Sequence, residues 1–392
     1  MHRIIVYLGV ILFFFSCQPD DEIELIRTLE GDLTLSNQLQ IDSLSGFGLV
    51  EITGNLTIAS GPGSTSAITS LEGLSKLTRI GGNLSISNND LLTNLSGLDQ
   101  LSSVEGSLAI SRNEALTDIQ GLNSLSSVEG GILVELNSNL QNLNAFENIA
   151  HVGQFITINN NPQLYSISGF SKLFSISEAL RIWSNARLVD INGFNNLSSV
   201  EGDLDINDNT VLPNLDAFSS LSSISGTLIL ANNNALTSIE GLANLTSVGK
   251  QLKIEDNLVL AKLDGLNQIT VVPEYLIINS NPALEKLSGL NGLSRAGNLF
   301  VMYNERLTTT DLPELSTVDF LLHVSNNSLL TNLNGFNNIR SVGYGIEVHS
   351  NTNLSNFCGI RSFIENNFDG KYNVYDNANN PTQQDILVGQ CD

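Results

Sequence analysis

The sequence predicts a mainly β protein, a parallel β-solenoid of about fifteen rungs of ~24 residues. Two observations carry this. An asparagine recurs at Asn89, Asn113, Asn137, Asn161, Asn185, Asn209, Asn233, Asn257, Asn281, Asn304, Asn327, Asn351 and Asn377. Its spacing is 24 eight times, then 23, 23, 24 and 26. Before each marker stands an apolar pair of period two, as in Leu108 and Ile110, which reads as a short strand with both anchors inward. After the marker, apolar residues recur every third position, as in Leu116, Ile119, Leu122, Leu125 and Val128.

That triplet run could suggest a helix. Two features oppose it. A Gly or Ala precedes the third anchor in nearly every rung (Gly97, Gly121, Ala145, Gly169, Gly193, Ala217, Gly241, Gly265, Gly289), and Gly there favours a turn. The Ser-Ser-Val and Thr-Ser-Val segments are β-branched and poor in helix formers. The expectation is strands and turns around a core, with helices of one turn at most. Two weaker rungs, anchored on Leu33/Leu35 and Leu56/Ile58, come first. At ~4.8 Å per rung, fourteen steps give a rod of about 67 Å. The marker Asn is expected to bond main-chain groups of the next rung, where the bend leaves them unpaired.

The ends read differently. Ile4 to Phe15 is an apolar run too short to span a bilayer and fits a signal-peptide core. It stops at Ser16-Cys17, which resembles a bacterial lipobox, although Phe14 stands where Leu is commoner. The resemblance implies cleavage after residue 16 and lipid on Cys17, which would anchor the chain without a membrane helix. The acidic Gln-Pro-Asp-Asp-Glu that follows looks like the surface-export signal of Bacteroidota lipoproteins. The expected location is the bacterial outer membrane, displayed outward. The plan is a leader (1–16), an acidic tether (17–30), the solenoid (31–377) and a C-terminal cap (378–392).

In an exported protein, Cys358 and Cys391 can form a disulfide closing the last rungs; two free thiols are the alternative. Thr382, with Asp385 three residues later, reads as a helix cap.

The repeat is similar to leucine-rich repeats, and closer to the receptor L domain, over about residues 31–377. That resemblance implies a right-handed solenoid that binds proteins or glycans. It carries no catalytic residues.

Composition narrows function further. Forty acidic residues against 17 basic give −23, which repels phosphate backbones and argues against nucleic acid. Charged residues are only 15%, so Asn, Ser, Thr and Gly must supply the polar surface. No Gly-Lys-Ser/Thr loop, Gly-x-Ser-x-Gly elbow or Cys-x-x-Cys occurs. The rungs barely vary in length, so no long loops build a cleft; the clear excess lies around Gly61-Pro62-Gly63. No catalysis and no cofactor are expected.

The outward residue of each strand forms a ladder that includes Arg181, Asp205, Lys253, Ile277, Phe300, His323 and Glu347. The next outward column holds Trp183, Met302, His349 and Tyr375. Exposed aromatic and apolar side chains suggest contact. The candidate binding face is Arg181, Trp183, Ile277, Phe300, Met302, Tyr303 and His323, and its expected partner is an extracellular protein or glycan. His323, Glu347 and His349 lack a further ligand, so no metal site is expected. The protein is expected to be monomeric.

Overall fold

A computed structural model describes residues 27–60, 66–366 and 368–392. Cys17, the leader, most of the tether and the Gly61-Pro62-Gly63 insertion lie outside the described residues. The fold is a parallel β-solenoid. Its main sheet runs in chain order from Leu33–Leu35 through Leu84–Ser87, Leu108–Ser111 and Ile132–Glu135 to Lys371–Tyr375, every neighbour parallel. Each strand pairs one rung onward in register, so Leu84 faces Leu108 and Leu108 faces Ile132. The inward anchors are buried, except Tyr372 and Val374 of the last strand, which are partly buried. Stacking is what buries them, since no single rung encloses a core.

A narrower second side carries two-residue strands such as Ser103–Val104 and Ser127–Val128. It is interrupted between His151–Val152 and Ser175–Ile176 and joins the main sheet in the long strands Val271–Asn279 and Arg295–Met302. The third side explains the triplet period. Leu116 N donates to Asn113 O at 3.2 Å, Leu122 N to Ile119 O at 2.9 Å and Leu125 N to Leu122 O at 3.0 Å. Such i→i+3 bonds eclipse residues three apart, which places every third side chain inward. Short three-ten helices, such as Gln120–Leu122, sit at this corner.

The glycines of that corner have a different cause from the expected one. Among them only Gly97 (φ 106°) and Gly265 (φ 118°) take the left-handed turn geometry. The others are set by close approach of the rungs: a Cβ on Gly121 would lie 1.9 Å from the carbonyl oxygen of Leu95. Larger side chains stack deeper in the core, where Phe146, Phe170, Phe194 and Phe218 pack with ring centroids 5.1, 5.2 and 6.0 Å apart.

The asparagines bond in the opposite direction from that expected: they reach back to the preceding rung. Asn113 Nδ2 donates to Ile86 O at 2.9 Å, and Asn113 Oδ1 accepts from Asn89 N at 3.1 Å. The pattern repeats along the column, as in Asn209 Nδ2 to Ile182 O (2.8 Å) and Asn185 N to Asn209 Oδ1 (3.2 Å). Each carboxamide thus continues the strand ladder for one more step around the bend. The residue before it is left-handed in every such rung, whatever its type: Arg112 (φ 54°), Leu136 (57°), Asp208 (54°), Tyr303 (55°).

The solenoid begins before residue 31, since Thr28–Leu29 pair with Glu51–Ile52. In the first rung the helix Gln38–Leu44 replaces the three-ten corner, capped by Asn37 and burying Ile41 and Leu44. At the other end Thr382 and Asp385 form a capping box on the helix Gln383–Leu387. Cys358 and Cys391 are joined by a disulfide, and Phe357 N donates to Cys391 O at 2.6 Å. Another helix, Arg361–Glu365, buries Phe363 and Ile364 beside them. No helix among the described residues is long and apolar enough to cross a membrane.

Removing one ladder carboxamide strands a buried N–H and a buried C=O together. Asn209→Ala is expected to cost about 2–4 kcal/mol. Guanidinium unfolding followed by circular dichroism checks this, and an unchanged midpoint would deny the ladder its structural role.

Candidate functional site

The main sheet presents two outward columns to solvent. In the first rungs they hold small residues: Thr57, Ser85 and Ala109, beside Ala59, Ser87 and Ser111. In the last rungs they become aromatic. Ile277, Phe300, His323, Glu347 and Asn373 lie directly opposite one another on successive strands. The second column there reads Asn279, Met302, Ser325, His349 and Tyr375.

Five rings form a continuous oblique row. Tyr275 contacts Phe300 (centroids 6.1 Å), Phe300 contacts His323 (5.7 Å), His323 contacts His349 (5.2 Å) and His349 contacts Tyr375 (4.7 Å). The last two planes are within 6° of parallel. Parallel rings that close cannot lie side by side in one plane, so they overlap face to face. Tyr275 and Phe300 lie within 19° of parallel, while the two pairs in the middle of the row are tilted by 54° and 50°. Together the rings form a ridge beside Ile277 and Met302. Tyr303, at the left-handed bend, is 54% exposed at its flank.

The charges along the ridge are mixed. His323 Nδ1 lies 3.6 Å from Glu347 Oε2, and its Nε2 is 2.9 Å from Ser325 Oγ. Burial pushes the His323 pKa down and the neighbouring His349 adds to this, while Glu347 opposes both. Among the described residues no group of His, Cys, Asp and Glu could hold a metal ion.

Residues 48–140 match the family model of the Receptor L domain. Over those residues the chain is similar to the Receptor L domain. The match covers four strands of the main sheet, from Leu56–Ala59 to Ile132–Glu135. No curated protein matches the sequence. Fold and family model together describe a repeat protein similar to the Receptor L domain over its early rungs, and the aromatic ridge lies on rungs beyond the matched ones.

On this receptor-L-domain-like scaffold, Ile277, Phe300, Met302, Tyr303 and His323 come together. Arg181 and Trp183 form a separate patch four rungs earlier. Arg181 reaches Asp203 at 3.6 Å. Thr157 and Asn159, which point outward on the preceding strand, are only 9% and 6% exposed. Trp183 and Arg181 are their direct cross-strand neighbours, so part of their surface covers that strand. Tyr275 was not among the expected contact residues. Its signal was available, because it lies two residues before Ile277 and period-two alternation puts both on one face.

Next to Arg181, Asp205 is poorly solvated, and its Oδ1 is buried without a partner. Burial pushes its pKa up to about 6, with Arg181 pulling it down and Asp203 adding to the rise. The folded carboxyl therefore holds its proton at a higher pH than the unfolded one, whose ordinary value is 3.8. Stability from this group is complete below the unfolded value and is lost as pH rises through the folded one. Asp205→Asn is expected to stabilise the protein by about 1–2 kcal/mol at pH 7.5, discounted for partial exposure, with the gain vanishing near pH 4. Unfolding midpoints at the two pH values test this.

Proposed function

We propose that this is a non-catalytic extracellular binding protein, held at the outer face of a bacterial outer membrane by lipid on Cys17, that grips a protein partner with the aromatic ridge. The observation that carries the reading is the ridge itself. Five contacting rings on five successive rungs, with Ile277, Met302 and Tyr303 beside them, make a long, partly exposed and largely aromatic strip. Aromatic residues and Met are the types enriched where proteins bind proteins. The rings contact one another along the row, which leaves less ring face free to stack on sugars and favours a protein over a glycan at this face. A flat sheet with no catalytic motif fits binding better than turnover. The lipobox-like Ser16-Cys17 followed by an acidic tract supports an acyl anchor that would hold the rod outside the cell.

Two experiments test the two halves. The variant Phe300→Ser, Met302→Ser, Tyr303→Asn keeps a residue tolerant of left-handed geometry at the bend. Against a panel of purified extracellular-matrix proteins, it is expected to lose about 100-fold or more in surface-plasmon-resonance affinity for any binder, since several contact residues go at once. Unchanged affinity removes the ridge as the site, and turnover of any polysaccharide refutes the non-catalytic reading. Metabolic palmitate labelling is expected in the wild type and lost in Cys17→Ala; continued labelling refutes the anchor.

A further inference from the structure

The repeat breaks at one corner. In the regular rungs the core anchors stand three, six and nine residues after the ladder Asn, as Leu116, Ile119 and Leu122 follow Asn113. After Asn304 come Leu307, then Thr310, then Leu312, so one residue is missing and a threonine takes a core position. Thr310 is fully buried, and its Oγ1 has no hydrogen-bond partner. Asp311 is forced to φ 27°. The rungs on either side keep their three-ten helices, Ser288–Leu290 and Asn334–Phe336, but this rung has none. Regular sequences depart from their own rules where function or strain requires it.

A cleft of about 500 Å³ opens at this corner. Ser288 and Asn291 line it from the rung before, Asp311 and Pro313 from the short rung, and Asn334 and Asn337 from the rung after. Asn338, also at the cleft, is committed to Pro313 O at 2.6 Å and fixes one wall. The side chains of Ser288, Asn291, Asn334 and Asn337 make no hydrogen bond among the described residues. Their donors and acceptors are free to meet a ligand.

The lining selects a ligand class. No cation lines the cleft, and Asp311 adds a carboxylate to a chain already at −23, so anions are disfavoured. A carboxamide donates and accepts side by side, as does a sugar hydroxyl, and Pro313 offers an apolar face beside them. The volume falls within the usual range for small-molecule sites. We propose that this cleft binds a short neutral saccharide of one or two sugar units. It is independent of the aromatic ridge, and it lies outside the residues that match the Receptor L domain.

The test is calorimetric titration of the full chain with neutral hexoses, N-acetylhexosamines and their disaccharides. At least one sugar is expected to bind, and Asn334→Ala with Asn337→Ala is expected to weaken it about tenfold or more, since two hydrogen-bonding groups go. Ser288→Trp, which fills the cleft from an accessible position, is expected to abolish binding while circular dichroism stays unchanged. The proposal is overturned if no sugar binds at tens of millimolar, if binding survives both variants, or if Phe300→Ser abolishes it instead.

Discussion

Everything in this molecule depends on a carboxamide turned back onto the preceding rung. At each bend the strand ends, and its last N–H and C=O groups would face a dry interior without partners. The ladder asparagine supplies both partners from one side chain, as Asn209 does for Asn185 N and Ile182 O. Neither Asp nor Ser offers an adjacent donor and acceptor with that reach. Because the bonds join neighbouring rungs, they also set the rung spacing. That spacing in turn brings the corner carbonyls so close that most rungs admit only glycine there. The backbone strain at the preceding residue belongs to the same device. An L-residue at positive φ costs roughly 1–2 kcal/mol, yet Leu136 and Arg112 accept it, because a bend without it would misdirect the asparagine.

Much of this architecture was legible because the chain writes it many times over. Period-two anchors, triplet anchors and the Asn column each fix a face, and the three agree on a solenoid. What the pattern could not give was direction. An asparagine at a bend can bond forward or back with equal chemistry, and only the sense in which the rungs stack decides it. The glycine column misled for a related reason. Glycine answers both to positive φ and to close approach, and the sequence of Gly121 is identical in the two cases. The helix Gln38–Leu44 was missed because Ile41 and Leu44 are three apart, the same spacing that elsewhere marks three-ten turns.

The candidate site was legible in part, and the physical reason is the same. Outward columns follow from alternation, so Ile277, Phe300 and His323 were placed opposite one another by counting alone. Their ring orientations were not countable. Whether Phe300 shows its face or its edge depends on what stands on the next rung, and His323 occupies that place. A row of aromatic letters does not say which rings stack: Tyr275 with Phe300 and His349 with Tyr375 do, and the two pairs between them are tilted.

A repeat this strict also constrains where chemistry can enter. Inward positions, bends and corner glycines are fixed by stacking, because an error in one rung is felt by both neighbours. Two kinds of freedom remain. Outward strand residues can change without disturbing the stack, which is how the first rungs stay small while the last become aromatic. A rung can also lose a residue, provided its neighbours close over the gap. Losing one costs a core contact, and Thr310 buried with an idle hydroxyl is the visible cost. The loss coincides with a somewhat larger hollow than this corner shows between regular rungs, about 500 against 420 Å³. The first freedom makes a surface suited to another surface, and the second makes a hollow suited to a small molecule. The two proposed ligand classes would thus follow from how a solenoid can vary, and they need no second domain.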